Sequence, residues 1–161
     1  MRKQLVIAAL AAGTFLAPLY SAGQSDNPWY GTWNLSVSKS NYCPGPLPIS
    51  TTTKIEPWDG DGLKYTVDVV TADGEERHIQ WSAKFDRRQN PVTGNPFVDT
   101  NAVRRINNHT YEVTARKDGK ITTVTRNVIS RDGKTRTAIA IGKNAQLTQG
   151  PSKNVAVFER Q

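Results

Sequence analysis

The groups in this sequence with the chemistry to act as acids, bases, nucleophiles or metal ligands are few and dispersed. His78 and His109 are the only histidines, and an imidazole serves proton transfer or metal binding only where a partner orients its ring. His78 falls on the polar side of an alternating segment and His109 follows the Asn107-Asn108 turn, so both are expected at the surface. Cys43, between Tyr42 and Pro44, is the single thiol. It forms no intrachain disulfide, and no base stands near it in sequence, so it reads as a buried small residue or an incidental thiol rather than a nucleophile. Asp59 with Asp61 and Glu75 with Glu76 are the carboxylate pairs able to share acid and base work at a glycosidic bond. All four sit in hairpin turns, where Asp is favoured for local hydrogen bonds to the backbone and Glu for solvation. The histidine and cysteine spacings of transition-metal sites are absent, as are the third acid and distal Glu of a calcium loop and the nucleophile elbow of a hydrolase. The sequence therefore leads to the expectation of no enzyme, no metal and no cofactor.

More chemistry resides in side chains that alternation turns inward. Trp33, Tyr65, Trp81, Phe85 and Tyr111 fall on apolar faces, enough aromatic area to fill a small barrel or to line a pocket. The same alternation puts Arg104 beside Ala102 and Ile106, and Arg126 between Val124 and Val128. A buried guanidinium has to be paired, so an inward arginine marks either a structural ion pair or the anchor of an anionic head group. A shift of one residue in strand phase would point both to water instead. Tyr65, Trp81, Phe85, Arg104, Tyr111 and Arg126 are thus the candidate ligand-binding residues.

What positions them is a series of short β-type runs with no window of sustained helical period. Leu63, Tyr65, Val67 and Val69 share one face against Lys64, Thr66 and Asp68. Ile79, Trp81, Ala83 and Phe85 do so against His78, Gln80, Ser82 and Lys84. Asp59-Gly60, Asp61-Gly62, Asp73-Gly74, Asp118-Gly119 and Asp132-Gly133 punctuate the runs. Asp-Gly accepts the positive φ of tight hairpins, so each pair predicts antiparallel neighbours. Strands are predicted near Thr32 to Ser38, Ser50 to Pro57, Leu63 to Val70, Glu76 to Phe85, Asn101 to Ile106, Tyr111 to Arg116, Lys120 to Ser130, Thr135 to Ile141 and Asn154 to Glu159. One wet and one dry face along such a chain predict an all-β antiparallel up-and-down barrel of about eight to ten strands. Tyr42 to Pro48, with three prolines and a glycine, reads as an extended connector, and Asp86 to Thr100 as a long loop near the barrel mouth.

The N-terminus has its own grammar. Arg2 and Lys3 precede an apolar stretch from Leu5 to Leu19 interrupted by Pro18, and Ser21, Ala22 and Gly23 follow. That is the order of a secretory signal peptide, predicted over residues 1–23 and removed to leave one domain over residues 24–161. The stretch is shorter than the ~18 apolar residues that span a bilayer, so no transmembrane anchor is expected. A periplasmic or secreted location follows. The chain carries a formal net charge of +7, two of those charges being Arg2 and Lys3. The rest are scattered along strands and turns, and the aromatics alternate away from them, so the basic stripe with exposed aromatics that nucleic acid requires is missing.

The opening strand reads Trp29-Tyr30-Gly31-Thr32-Trp33, and Gly31-x-Trp33 resembles the G-x-W signature of lipocalins and related calycins. In that superfamily the Trp plugs the closed end of the barrel beneath a basic side chain from a late strand. The resemblance thus implies structural roles in barrel closure for Gly31, Trp33 and Arg160. Beyond that motif, nearly the whole chain after the leader is similar to a group of small secreted bacterial lipocalin-like proteins. The similarity rests on Trp33 to Ser40, Pro44-Gly45-Pro46, Asp61-Gly62-Leu63, Asp73-Gly74, Pro91 to Pro96, Asp132 to Thr135 and Asn154 to Arg160. It implies the barrel and export, and carries no catalytic residue over. The function expected is a binding protein for a small apolar or amphipathic ligand held in the barrel. The alternative is an envelope or extracellular protein-interaction or inhibitor module with a solid core.

Overall fold

The computed structural model describes residues 27–143 and 151–161; the predicted signal peptide lies outside the described residues. Eleven β-segments follow one another: β1 (Gly31–Leu35), β2 (Asn41–Cys43), β3 (Ser50–Trp58), β4 (Gly62–Val70), β5 (Glu76–Ala83), β6 (Asn90–Thr93), β7 (Thr100–Asn107), β8 (Thr110–Lys117), β9 (Lys120–Ile129), β10 (Thr135–Lys143) and β11 (Pro151–Arg160). A single 3-10 turn, Val37–Lys39, is the only helical element among the described residues. From β3 to β11 each strand pairs antiparallel with the next, and β11 returns to β1, which pairs with β3. β1 and β2 share one place in this ring, β1 alongside Phe158 to Arg160 and β2 alongside Lys153 to Val155. The result is a closed up-and-down barrel of ten strands, as the hairpin pattern predicts.

The turns work as their residue types require. At the β8–β9 hairpin Asp118 and Gly119 both take positive φ, 49° and 72°, the paired left-handed conformation that suits the twist of a two-residue hairpin. Asp59 and Gly60 adopt it between β3 and β4, at 39° and 83°. The remaining Asp-Gly pairs behave differently: only the glycine is left-handed at Gly74 and Gly133, and Gly62 opens β4 itself.

All nine strands predicted from sequence are present. β2 and β6 are additions, at three and four residues, both too short and too rich in neighbouring proline for alternation to register. Asp86 to Thr100 is therefore not an unstructured loop. β6 wedges between β5 and β7, pairing Trp81 with Val92 and Asn90 with Asn101. Its exit turn rests on Gly94, where φ is +74° and a Cβ would stand 1.8 Å from the His78 carbonyl oxygen. Glycine alone lets the backbone lie that close to β5.

Large side chains fill one end of the barrel. Trp29, Trp33, Ile55, Leu63, Val103, Tyr111 and Ile129 are buried there with Phe158. Tyr111 meets Trp29 edge-on at 4.4 Å between ring centroids and Phe85 at 5.9 Å, the edge-to-face geometry that aromatic quadrupoles favour. Trp33 is fully buried, and its indole N–H donates to the Trp29 carbonyl at 3.1 Å. The guanidinium of Arg160 covers it, 4.3 Å from the ring centroid. Arg160 also donates to three backbone carbonyls, those of Tyr30 at 2.6 Å, Gly133 at 2.7 Å and Pro28. Gly31 accounts for the rest of the motif: at φ +136°, its Cβ would fall 2.7 Å from Arg160 Nη1, an atom those hydrogen bonds hold in place.

Candidate ligand-binding cavity

The opposite end is hollow. There the inward positions of β9, β10 and β11 carry Thr123, Thr125, Ala138, Ala140, Ser152 and Ala156, all small, while Tyr65 and Trp81 face them from β4 and β5. Small side chains across from large ones leave a cavity of about 320 Å³, at the low end of the roughly 300–1,000 Å³ typical of small-molecule sites. Tyr65 and Trp81 stand opposite in the β4–β5 register and stack at 4.2 Å with an interplanar angle of 8°, making a flat apolar wall. Asn95, Phe97 and Val98, from the turn after β6, and Tyr42 from β2 also contribute to the lining. Phe97 is held there by Arg77, whose guanidinium lies 5.3 Å from its ring. Tyr42, Thr51 and Val67 are shared with an adjoining pocket lined by Pro46, Pro48 and Arg77, so the proline-rich connector borders that second pocket.

Arg136 is the only charged side chain among the described lining residues. It is 3% exposed, fixed by β10 between Ile129 and Phe158 on the neighbouring strands. Nη1 donates to Asn127 Oδ1 at 3.0 Å and Nη2 to Thr53 Oγ1 at 3.2 Å. The guanidinium lies 3.9 Å from the Phe158 ring centroid and 6.0 Å from that of Trp33. No carboxylate among the described residues forms an ion pair with it. Arg136 Nε and Asn101 Oδ1, also on the lining, are buried without a hydrogen-bond partner.

Two tyrosine hydroxyls lie within the same interior. Tyr65 and Tyr111 are hydrogen-bonded to each other through their hydroxyls. Burial pushes both above the ordinary tyrosine range, against an opposing pull from Arg136, and burial raises Tyr42 likewise. All three are therefore neutral, and none offsets the guanidinium charge. The hydroxyl pair predicts non-additive mutations. Tyr65→Phe or Tyr111→Phe alone is expected to destabilise by about 1–3 kcal/mol, because the surviving buried hydroxyl loses its partner, whereas the double variant costs less than the two combined. Urea unfolding of the four proteins measures this coupling, and strict additivity would refute it.

The sequence-derived site divides accordingly. Tyr65 and Trp81 line the cavity. Tyr111 and Phe85 lie in the plugged end, Phe85 beneath the Arg105 guanidinium at 4.0 Å. Arg104 and Arg126 do not point inward. Their side chains are 41% and 58% exposed on the outer wall, where both face Glu112, at 2.7 Å and 3.6 Å. In β7 the phase is set by fully buried Val103, which turns Arg104 and Ile106 outward; Glu112 sits opposite both arginines in register. Such exposed pairs contribute at most about 1 kcal/mol. His78, bonded to Asp68 at 2.6 Å, and His109 are exposed as expected. Cys43 is exposed, not buried. Of the turn acids, Asp59 pairs with Lys84, Asp61 with Arg105 and Glu75 with Arg77.

Arg136 escaped the sequence reading because Arg136-Thr-Ala-Ile-Ala-Ile places its isoleucines on the other phase, and Ile141 is in fact 58% exposed. The usable signal was hairpin register: closing the Asp132-Gly133 turn puts Arg136 opposite Ile129, a core residue.

Fold and interior together define a closed antiparallel barrel with one plugged end and one hollow end. The chain matches no protein-family model, no curated protein and no solved structure.

Proposed function

We propose that this chain is a lipocalin-like binding protein, exported to the periplasm or beyond, that holds a small apolar or amphipathic molecule in its barrel. The observation that carries the reading is the cavity itself, walled by the Tyr65–Trp81 stack and floored by a buried cation. The lining mixes aromatic and alkyl side chains with the hydroxyls and amides of residues such as Thr125, Asn101 and Asn154, a make-up suited to a guest with both apolar and polar parts. Export is supported by the order of Arg2, Lys3, the Leu5 to Leu19 stretch and Ser21 to Gly23, and among the described residues no helix is long and apolar enough to cross a membrane. Binding is favoured over catalysis because the described lining offers hydroxyl, amide and aromatic groups and one guanidinium, without the carboxylates, imidazoles or thiols that move protons or attack. The alternative of an interaction module requires a solid core, against which the cavity weighs.

Native mass spectrometry of the purified protein, with organic extraction of the same sample, tests the reading. A stoichiometric small molecule, or uptake of an added fluorescent amphiphile that quenches tryptophan emission, is expected. Protein of bare mass that takes up no amphiphile would remove it.

A further inference from the structure

Resting on the cavity being a ligand site, we propose that its ligand is a small amphipathic monocarboxylate whose carboxylate is seated on Arg136. A guanidinium has five N–H donors, and Arg136 spends one on Asn127 and one on Thr53, with the Tyr111 hydroxyl a further acceptor within its reach. All three acceptors are neutral. The Phe158 and Trp33 rings offer partial compensation, but a buried cation calls for an anion, and no acid side chain on the described lining supplies one. The same count fixes the charge of the guest: one buried cation balances a single negative charge, whereas a dianionic phosphate would leave a surplus in the interior. A planar fork of donors fits the two oxygens of a carboxylate.

The remainder of the wall selects the rest of the molecule. Besides Arg136 and its polar neighbours the cavity is lined by Trp81, Val67, Val113, Phe97 and Val98, apolar surface that suits a short hydrocarbon chain. The volume of about 320 Å³ restricts that chain to a small one. The outer arginines, Arg104 and Arg126, are already engaged with Glu112 and take no part.

Calorimetric titration of the wild-type chain with octanoate, octanol and octylamine separates head group from tail. Octanoate is expected to bind roughly ten- to hundredfold more tightly than octanol, the range for a charged hydrogen bond, and octylamine most weakly. In Arg136→Met, octanoate affinity falls to that of octanol while octanol affinity holds, and Arg136→Lys keeps part of the preference. A purely structural arginine would instead lower both affinities in parallel. Equal wild-type affinities for octanoate and octanol overturn the carboxylate assignment and leave the apolar cavity reading standing. Failure of all three to bind overturns both. The wild-type comparison decides even where the variants do not fold.

Discussion

Trp33→Ala is expected to cost about 3–5 kcal/mol of folding stability, the largest loss from any single side chain in the plug. Trp33 is fully buried, so its removal forfeits the transfer free energy of an indole and leaves a void. The neighbours cannot collapse freely into that void, because Trp29 is packed edge-on against Tyr111 and Arg160 is tied to backbone carbonyls around it. A domain of this size has roughly 5–15 kcal/mol in total, so the variant is left near the margin. Urea unfolding followed by far-ultraviolet circular dichroism measures the change directly. A loss below about 1.5 kcal/mol would mean that the plug repacks and that the barrel end is not built around this residue.

Arg160→Met gives the second large effect, by a different route. Methionine keeps apolar cover over Trp33 but leaves the carbonyls of Pro28, Tyr30 and Gly133 without their donor. Each bond to a charged donor is worth about 1.5–3 kcal/mol, yet the three do not sum, because the site is only partly buried and water replaces some of them. A net loss of about 1.5–3 kcal/mol is expected. Arg160→Lys should recover little of it: an ammonium cannot reach three carbonyls from one planar fork while lying on the indole face. If lysine restored full stability in the same urea titration, point charge over the ring would be the whole contribution, and the hydrogen-bonded strap from Arg160 to the β9–β10 turn and the entry segment would be incidental.

The two ends of the barrel were legible to different degrees. The plug could be read because Gly31-x-Trp33 is a short motif resembling a known signature, and up-and-down closure brings the first strand beside the last, where Arg160 stands. The cavity could not. Its walls depend on which phase each strand presents, and phase is ambiguous wherever apolar residues occupy both faces. In β4 and β5, aromatic and branched side chains alternate cleanly with Lys, Asp, Gln and His, and Tyr65 and Trp81 were placed correctly. In β7 and β9 the arginines lie among apolar neighbours, and the phase inferred from Ile106 or Val128 gave the wrong side. In β10 small alanines share the inner face with Arg136 while isoleucines face out.

Alternation and Asp-Gly reversals by themselves determined the class of fold and the order of nine strands, because each depends on a few consecutive residues and on the fixed geometry of the pleat and the turn; the closing roles of Gly31, Trp33 and Arg160 came from the resemblance of Gly31-x-Trp33 to a known signature. Whether the interior would be solid or hollow, and which of the chain's arginines it would enclose, was decided only by tertiary structure. Those outcomes depend on what ten strands present to one another across the barrel, where Ala138, Ala140 and Ala156 leave space and Arg136 is held among Thr53, Asn127 and Phe158. Partners so far apart in sequence leave no local signature: the cavity and its charge belong to the closed ring, not to any single strand.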